Sequence, residues 1–389
     1  MSLPPVTVIC PNVSGNALGR ALLLADLLRT ETEVQIVGLR QAEALWAPAS
    51  GTEIRIREYP ARPGRLHYFD GVQWIGDVVR DDFVIVSKPV LQSLGLALLA
   101  RVGRRGLIVD IDDWQTGFFQ HDRGRERLSP FQQRIARFRS YARRGGMNGF
   151  VLTRALEEYS KRRTHRIVSN RWLQRRFGGD LLYHVRDPRV LDPTLTRNAR
   201  IEPLPSDRLW VGFVGTPRAH KGISVLVDAV ASADADAKLG LVIMGVSEPN
   251  APAIVHARAK LEPDALRVVA PFPLADLRDH LALADILAIP SLEVPGSWGQ
   301  IPAKLFDAMS MAKPIVATNV NDIPEILDGV GMCVPPGDAV AFSAALVRLA
   351  RDPALRTRLG TLARNRLIET YSYAAGRRTL LDVVRRAVR

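Results

Sequence analysis

The chain of 389 residues contains only two cysteines, Cys10 and Cys333, which lie far apart and show no metal-binding spacing. A disulfide framework and a cysteine-based zinc site are therefore not expected, and both thiols are predicted to be core residues in a reducing compartment. No uncharged apolar run approaches the roughly 18 residues that a bilayer crossing requires, and no charged-then-apolar leader opens the chain. These absences predict a cytoplasmic protein.

Lysine is also scarce, with seven lysines among 53 basic residues, and the net charge of +13 is unevenly placed. Residues 101–208 hold 24 basic against 12 acidic residues, and arginines are concentrated in RGRERLSPFQQRIARFRSYARRGG, residues 123–146. Three explanations stay open: a solvated helix face, attraction to anionic lipid headgroups or an anionic glycan, and nucleic acid. Because no recognised nucleic-acid-binding module accompanies the charge, nucleic acid is not predicted as a partner. An anionic surface at the inner face of the plasma membrane is kept as a candidate.

The order of apolar runs and glycine turns predicts an α/β protein with parallel sheets. Runs such as VTVIC (6–10) and VQIVG (34–38) alternate with helical patterns, and the alternation resumes at LWVGFVG (209–215). A chain of this length exceeds one comfortable hydrophobic core, so two domains are expected. The proline- and charge-rich stretch 187–208 is the predicted linker between them.

The stretch 289–322 has the pattern of a ligand-binding βαβ unit. A strand, ADILAIP (284–290), leads into a loop rich in glycine and proline, a helical pattern begins at Ala303, and the strand PIVAT (314–318) follows. Ligands of parallel sheets bind beyond the carboxyl ends of the strands, where a helix N-terminus offers free N–H groups to an anion. We therefore expect the backbone from Ser297 to Ala303 to cradle a phosphorylated ligand.

Two loops in the first half of the sequence also follow strands. After VTVIC, Asn16 is expected to cap a helix, and Gly15 and Gly19 permit close backbone approach at the turn. Asp112 and Asp113 follow the strand GLIVDI (106–111), at the sheet end where ligands bind. Carboxylates there could orient sugar hydroxyls, act as a base or bind a divalent cation, with a helix cap or a solvated loop as an equal alternative.

The segments GFVGTPRAHKG (212–222) and PAKLFDAMSMAKPIVATNVNDIPEIL (302–327) together resemble the carboxyl-terminal half of retaining glycosyltransferases of the GT-B fold, family 4 (group 1). That family usually has a basic residue and then Lys-Gly in its first βα turn, and an acidic residue before Ala-Met. The matching residues here are Arg218, Lys221, Gly222, Asp307, Ala308, Met309, Lys313, Pro314, Pro324, Glu325 and Ile326.

The resemblance implies two Rossmann-like domains that face each other across a cleft. Residues 1–190 would form an acceptor domain, completed by a C-terminal helix (373–389) that crosses back to it. Residues 205–370 would form the nucleotide-sugar-binding domain.

The same resemblance implies a retaining, metal-independent, hexosyltransferase-type enzyme that uses no cofactor. Its donor would be a nucleoside-diphosphate sugar, and its acceptor a glycan or a lipid-linked molecule in cell-surface polysaccharide or glycolipid synthesis. Arg218 and Lys221 would neutralise the departing diphosphate in place of a metal, and Asp307 would hydrogen-bond the ribose. Asp112 and Asp113 join them as catalytic candidates, because one of them stands about where relatives place a histidine. The other predicted donor-binding residues are Gly215, Thr216, Glu293, Ser297, Gly299, Gln300, Ile301, Pro302 and Lys304, and the predicted acceptor-side loop contains Gly15, Asn16 and Gly19.

One departure from the family pattern concerns the paired acids. Relatives separate them by seven residues, but Gly299 stands at the position of the first acid, eight places before Asp307. Either Glu293 takes the sugar-contacting role, or the backbone from Ser297 to Pro302 replaces it. The loss of an acid keeps two alternatives open: an inactive nucleotide- or glycan-binding partner protein, and a sugar-nucleotide epimerase of the same architecture.

Overall fold

A computed structural model describes residues 3–61, 65–79, 82–120, 149–195 and 201–388. The chain divides into two compact units. Unit 1 contains Met1–Tyr183, Trp298–Gln300 and Gly376–Arg389, and unit 2 contains His184–Ser297 and Ile301–Ala375. The whole of the arginine-rich segment 123–146, with its interleaved aromatic residues, lies outside the described residues, so the explanations of its charge stay predictions.

Unit 1 is built on a seven-stranded sheet in the order β3-β2-β1-β4-β5-β6-β7, and every adjacent pair is parallel. Its central strands are runs of Val, Ile and Phe buried on both faces, as expected for a parallel sheet covered by helices. The strands are β1 (Val6–Cys10), β2 (Val34–Arg40), β3 (Arg55–Pro60), β4 (Phe83–Ser87), β5 (Leu107–Ile111), β6 (His165–Val168) and β7 (Asp180–Leu181).

The helices of unit 1 include the last helix of the chain. Its apolar residues Leu380, Leu381, Val383 and Val384 are buried, and Arg377 Nε donates a hydrogen bond of 2.9 Å to the Leu27 carbonyl. The expected return of the C-terminal helix to the first domain is therefore confirmed. The helices are α1 (Ala17–Leu28), α2 (Arg65–Val78), α3 (Leu96–Leu99), α4 (Phe150–Arg163), α5 (Arg171–Phe177) and α13 (Tyr373–Ala387).

Unit 2 has a six-stranded parallel sheet in the order β10-β9-β8-β11-β12-β13. This is the order of a doubly wound nucleotide-binding sheet, and it reverses between β8 and β11. The strands are β8 (Leu209–Val214), β9 (Leu239–Met244), β10 (Leu266–Val269), β11 (Ile286–Ile289), β12 (Ile315–Thr318) and β13 (Met332–Val334). The helices are α6 (Ile223–Ala231), α7 (Pro252–Lys260), α8 (Leu277–Ala282), α9 (Ala303–Ser310), α10 (Ile323–Leu327), α11 (Ala339–Arg351) and α12 (Pro353–Thr370).

The structure corrects the prediction of a linker over residues 187–208. Unit 2 already begins at His184, and Leu191 is buried, its carbonyl accepting hydrogen bonds from Ser310 Oγ (2.9 Å) and an Arg364 guanidinium nitrogen (3.0 Å). Composition suggested a free connection, but the Leu191 carbonyl is bound by side chains from α9 and α12. Strand β7, just before this stretch, covers only Asp180–Leu181.

Two smaller predictions are confirmed only in part. Cys333 is exposed on β13, which is an edge strand, so it is not a core thiol, whereas Cys10 is buried on the central strand β1. Asn16 occupies the N-cap position of α1 but has helical backbone angles and makes no side-chain capping bond. The neighbouring loop is held instead by Asn12, whose Oδ1 accepts a hydrogen bond of 2.9 Å from the Ser14 N–H.

Candidate donor site and carboxylate clusters

The carboxyl end of β8 forms a tight turn that only glycine fits. Gly215 has a φ of +122° and donates a backbone hydrogen bond of 2.8 Å to the Met244 carbonyl. A Cβ on Gly215 would lie 4.0 Å from Lys304 Nζ, so the ammonium group stands directly beside this turn. Thr216 follows and is exposed. At the end of β8, the backbone of Gly215 is thus uncovered by a side chain and lies next to the ammonium group of Lys304.

The rest of this turn is fixed against the end of β11. Gly222 has a φ of +69°, and a Cβ there would lie 1.8 Å from the Pro290 carbonyl oxygen. The Leu292 N–H donates to the His220 carbonyl at 2.9 Å. Arg218 is exposed and Lys221 is half-buried on the turn. Both predicted basic residues therefore lie at the point where the strand order reverses, which is where doubly wound sheets bind ligands.

Lys304 has unusual surroundings for a charged side chain. It is half-buried at the start of α9, and its Nζ lies 3.5 Å from the centroid of the Phe213 ring. Burial first, and then the positive charge of Lys221, lower the pKa of Lys304 well below its ordinary value, with Asp307 acting in the opposite direction. Lys304 and Lys221 are thus close enough to repel each other, and an anion bound beside them would relieve that repulsion.

The loop between β11 and α9 is ordered by its own hydrogen bonds. Ser297 Oγ donates to the Leu292 carbonyl at 2.7 Å and accepts from the Val294 N–H at 3.1 Å, so this hydroxyl holds the loop. Glu293 is exposed. Ile301 and Pro302 are buried, and Pro302 stands at the N-cap position of α9 without a side-chain cap. The Leu305 N–H already donates to the Pro302 carbonyl at 3.0 Å, so the N–H groups of Ala303 and Lys304 are those that α9 offers to an acceptor.

Asp307 has a partner that the sequence did not reveal. Its carboxylate is buried and forms an ion pair with the guanidinium group of Arg186, which stands 121 residues earlier. Burial opposes the charge of Arg186, but the attraction of Asp307 prevails and raises the pKa of Arg186. No periodicity in the sequence links the two positions.

Unit 1 contains a second group of charges at the carboxyl ends of its strands. Lys88, which follows β4 with a φ of +68°, pairs with Asp112 at 2.9 Å and also with Asp113. Although burial opposes it, the attraction of Asp112 and then Asp113 raises the pKa of Lys88. Gln300 Nε2 donates a hydrogen bond of 2.7 Å to Asp113 Oδ1. Lys88 thus compensates two carboxylates that the sequence suggested as a base or as cation ligands.

Asp110, on β5, serves a different purpose from its two neighbours. It is fully buried, and Arg20 binds it through Nε and a terminal nitrogen at 2.8–3.2 Å. Arg20 also donates to the carbonyls of Leu182 and Tyr183 at 2.9 and 3.1 Å. This pair joins α1, β5 and the end of the first segment of unit 1, which is a structural role.

The glycine at the position of the missing acid is required by its surroundings. A Cβ on Gly299 would lie 2.5 Å from the Trp114 backbone nitrogen, closer than such atoms approach in proteins. The neighbouring Trp298 stacks on Trp114, with ring centroids 6.1 Å apart and planes 6° apart. Trp172 and the Arg176 guanidinium group also lie against Trp114. An acidic side chain at position 299 is therefore incompatible with this packing.

The predicted acceptor-side glycines are explained by packing. A Cβ on Gly15 would lie 3.1 Å from Asn12 Nδ2, and one on Gly19 would lie 3.2 Å from the Trp46 ring. Gly15, in the loop after β1, and Gly19, on α1, thus permit close contacts.

The predicted residues fall into two sets, one in each unit. Unit 2 brings together Gly215, Thr216, Arg218, Lys221, Glu293, Ser297, Ile301, Pro302, Lys304 and Asp307, and unit 1 contains Gly15, Asn16, Gly19, Asp112, Asp113, Gly299 and Gln300. In the part of the chain that the structure describes, no group of three His, Cys, Asp or Glu side chains could hold a metal ion. None of the described helices has the length and apolar character needed to cross a membrane.

Solved structures with the same architecture extend over the whole chain. Sucrose-phosphate synthase from Thermosynechococcus elongatus has a TM-score of 0.75 at 17% identity, covering 98% of each chain. The Anabaena protein Alr3699/HepE, solved in complex with UDP-glucose, has a TM-score of 0.72 at 14% identity, covering 98% of this chain and all of the other. Two doubly wound parallel sheets and these similarities confirm the GT-B fold, that is, the fold of a large class of glycosyltransferases.

A match to a family model lies within unit 2. Residues 208–352 match the model described as "Glycosyl transferases group 1". The D-inositol 3-phosphate glycosyltransferase of Kineococcus radiotolerans is 30% identical over 206 residues, which cover 48% of this chain and 46% of that protein. The chain thus spans just under half the length of this curated relative.

Proposed function

We propose that the protein is a retaining, metal-independent glycosyltransferase with a nucleoside-diphosphate sugar as donor. The observation that carries the proposal is the arrangement of cations at the carboxyl ends of β8 and β11. Lys304 lies beside the bare backbone of Gly215, and Lys221 is close enough to lower the pKa of Lys304. Arg218 is exposed on the same turn. A ligand with several negative charges suits this arrangement better than a neutral one.

The chemistry follows from the charge that develops during transfer. The bond between the sugar C1 and the diphosphate oxygen breaks, and its electron pair leaves with the nucleoside diphosphate. An acceptor hydroxyl forms the new bond to C1 and releases its proton. Fixed cations at Arg218, Lys221 and Lys304 stabilise the departing diphosphate without having to reorganise, which is the role that a metal would otherwise fill. The open N–H groups at the start of α9 add to this stabilisation.

The names of similar proteins support the donor and acceptor classes. The Anabaena neighbour was solved with UDP-glucose, and the Kineococcus relative is a glycosyltransferase named for a phosphorylated polyol. By analogy, the acceptor of this chain is a glycan or a lipid-linked molecule in cell-surface polysaccharide or glycolipid synthesis. Asp113, held by Lys88 and Gln300, is the acceptor-side carboxylate of this proposal.

One observation favours a second candidate, a binding protein that has lost catalysis. Gly299 packs so closely on Trp114 that no acid can stand at the position where relatives contact the donor sugar. Glu293 is exposed on the same loop and would have to take that contact. A protein without either acid could still bind a nucleotide sugar.

The deciding experiment incubates the purified chain with a panel of nucleoside-diphosphate sugars, with and without glycan or polyprenyl-phosphate-linked acceptors, in the presence of EDTA. Released nucleoside diphosphate and the anomeric configuration of the product are measured. The proposal predicts acceptor-dependent release with retained configuration. Binding without release would indicate the binding protein, and acceptor-independent release of a free epimerised sugar would indicate an epimerase.

A further inference from the structure

The guanidinium group of Arg186 makes several hydrogen bonds besides its ion pair with Asp307. The Arg186 Nε group binds Asp307 Oδ1, and a terminal nitrogen of the same guanidinium group lies 3.5 Å from the carbonyl of Ala303, the first residue of α9. The other terminal nitrogen donates to the Val185 carbonyl at 3.0 Å. The Arg186 side chain thus contacts both the carboxylate of Asp307 and the N-terminal turn of α9, the helix on which Asp307 lies.

The backbone of Arg186 is fixed as well. Its N–H donates to the Tyr371 carbonyl at 3.0 Å, and its carbonyl accepts from the Tyr373 N–H at 2.8 Å. Arg186 and Ser372 form an isolated parallel β-bridge. A side chain anchored on such a backbone loses little further entropy when it holds Asp307, so the carboxylate is presented in one orientation.

Asp307 retains capacity for a ligand. Its Oδ1 atom is bound by Arg186, whereas its Oδ2 atom makes no hydrogen bond to any residue in the described ranges. The side chain is 7% exposed, and it lies on α9, five residues after Pro302 and three after Lys304. An ionised carboxylate oxygen is a strong acceptor for a hydroxyl group.

We propose that Arg186 is a positioning residue for donor recognition. It holds the carboxylate of Asp307 so that Oδ2 accepts a hydrogen bond from a ribose hydroxyl of the nucleoside diphosphate. The inference rests on the proposed function, because it requires a nucleotide at the carboxyl ends of β8 and β11. A site built to bind a hydroxyl group discriminates strongly against analogues that lack it, since its own polar atom is then left without a partner.

The test compares the affinities of UDP, GDP and ADP with those of their 2′,3′-dideoxy forms by isothermal titration. The proteins are the wild type, Arg186→Met, Arg186→Lys and Asp307→Asn. Arg189→Met is the matched control, because Arg189 stands three residues away and its side chain is 87% exposed. Thermal unfolding of each variant establishes that it is folded.

The wild type and Arg189→Met are expected to bind the best ribonucleotide at least tenfold more tightly than its dideoxy form. Arg186→Met is expected to bring this ratio close to one, chiefly by weakening binding of the ribonucleotide. Arg186→Lys should give an intermediate ratio, because an ammonium group lacks the planar fork that orients a carboxylate. A variant that merely loosened the fold would weaken both nucleotides equally and keep the ratio.

Two results overturn the inference and differ from each other. If the wild type binds ribonucleotides but Arg186→Met and Arg186→Lys keep the wild-type ratio, Arg186 does not position Asp307, and the proposed function stands. If the wild type binds none of the three nucleoside diphosphates, the proposed function fails together with the inference. Should Arg186→Met not fold, the ratio for Arg186→Lys decides between these outcomes.

Discussion

The carbonyl oxygen of Pro290 lies where a side chain on Gly222 would begin, 1.8 Å from the position of a Cβ. Gly222 ends the turn that carries Arg218 and Lys221, and Pro290 follows the last residue of β11. The contact therefore holds the basic turn at the point where the strand order of unit 2 reverses. The turn can hold the two cations in this position because residue 222 has no side chain.

Gly222→Ala is accordingly expected to destabilise unit 2 more than a left-handed backbone alone explains. The matched control is Gly329→Ala, because Gly329 has nearly the same φ, +70° against +69°, but nothing within 4 Å of its added Cβ. Gly329→Ala should lower the free energy of unfolding by about 1–2 kcal/mol, the usual cost of that conformation. Gly222→Ala should cost clearly more in chemical denaturation. Equal losses would show that the carbonyl of Pro290 is not in contact.

Replacing either cation of the turn should impair transfer more than folding. Arg218→Ala and Lys221→Ala are each expected to lower kcat/KM. The loss of transition-state stabilisation should be on the order of 3 kcal/mol, because a preorganised charge at the leaving group is removed. The controls are Arg348→Ala and Lys260→Ala, at exposed positions on α11 and α7. Steady-state kinetics with the best donor would contradict the assignment if the site variants and the controls behaved alike.

Lys304 should make stability depend on pH. Its pKa is lowered in the folded state by burial and by Lys221, whereas in the unfolded chain it returns to about 10.4. Between these values the unfolded state binds more protons, so the free energy of unfolding should rise with pH through this window. Lys304→Met should remove this contribution and increase stability at neutral pH. Urea denaturation at several pH values would refute this if the wild type and the variant gave parallel curves.

Replacing Lys88, the partner of Asp112 and Asp113, should strongly lower the stability of unit 1. Lys88→Met leaves Asp112, which is buried, without its partner, and breaking such a pair typically costs about 3–5 kcal/mol. Lys161→Met is the comparison, because Lys161 forms an ion pair with Glu158 one helical turn away at 3.0 Å, nearer the solvent. That pair should contribute less than about 1 kcal/mol. Similar losses in chemical denaturation would mean that Lys88 does not compensate the carboxylates.

The basic segment 123–146 gives a prediction that stands on its charge alone. Each basic residue near an anionic surface contributes about 1 kcal/mol, so four or five of its arginines would hold the protein reversibly on the inner leaflet. Sedimentation with vesicles should show binding that rises with the fraction of phosphatidylserine and falls with salt. No association with strongly anionic vesicles at low salt would leave the charge as a solvated surface and favour an acceptor that is not lipid-linked.

Sequence patterns predicted the elements of the fold that are determined by local apolar periodicity and by turn residues. Buried strands such as β1 and β8, the glycine turn at Gly215 and the helix α9 follow from apolar periodicity and turn residues. Strand β3 escaped notice because it is an edge strand with the sequence RIREYP, whose charged residues show no apolar run.

The partners of charged residues could not be predicted from the sequence. Lys88 meets Asp113 across 25 residues because they follow the adjacent strands β4 and β5. Arg186 meets Asp307, on helix α9, across 121 residues, and the backbone of Arg186 is held there by Tyr371 and Tyr373. The sequence likewise showed that an acid was missing at Gly299 but not why. The reason is close packing of Gly299 on Trp114 and Leu173, which only the folded chain reveals.

Cations of unit 2, in place of a metal, are proposed to bind the diphosphate of the donor. This can be tested by titration of the preferred nucleoside diphosphate in EDTA and again in excess Mg²⁺. The wild type and Lys260→Ala are expected to bind equally well under both conditions, and Lys221→Ala is expected to lose at least about tenfold in affinity, or 1.4 kcal/mol, in EDTA. Binding that requires Mg²⁺, or an affinity unchanged by Lys221→Ala, would contradict it.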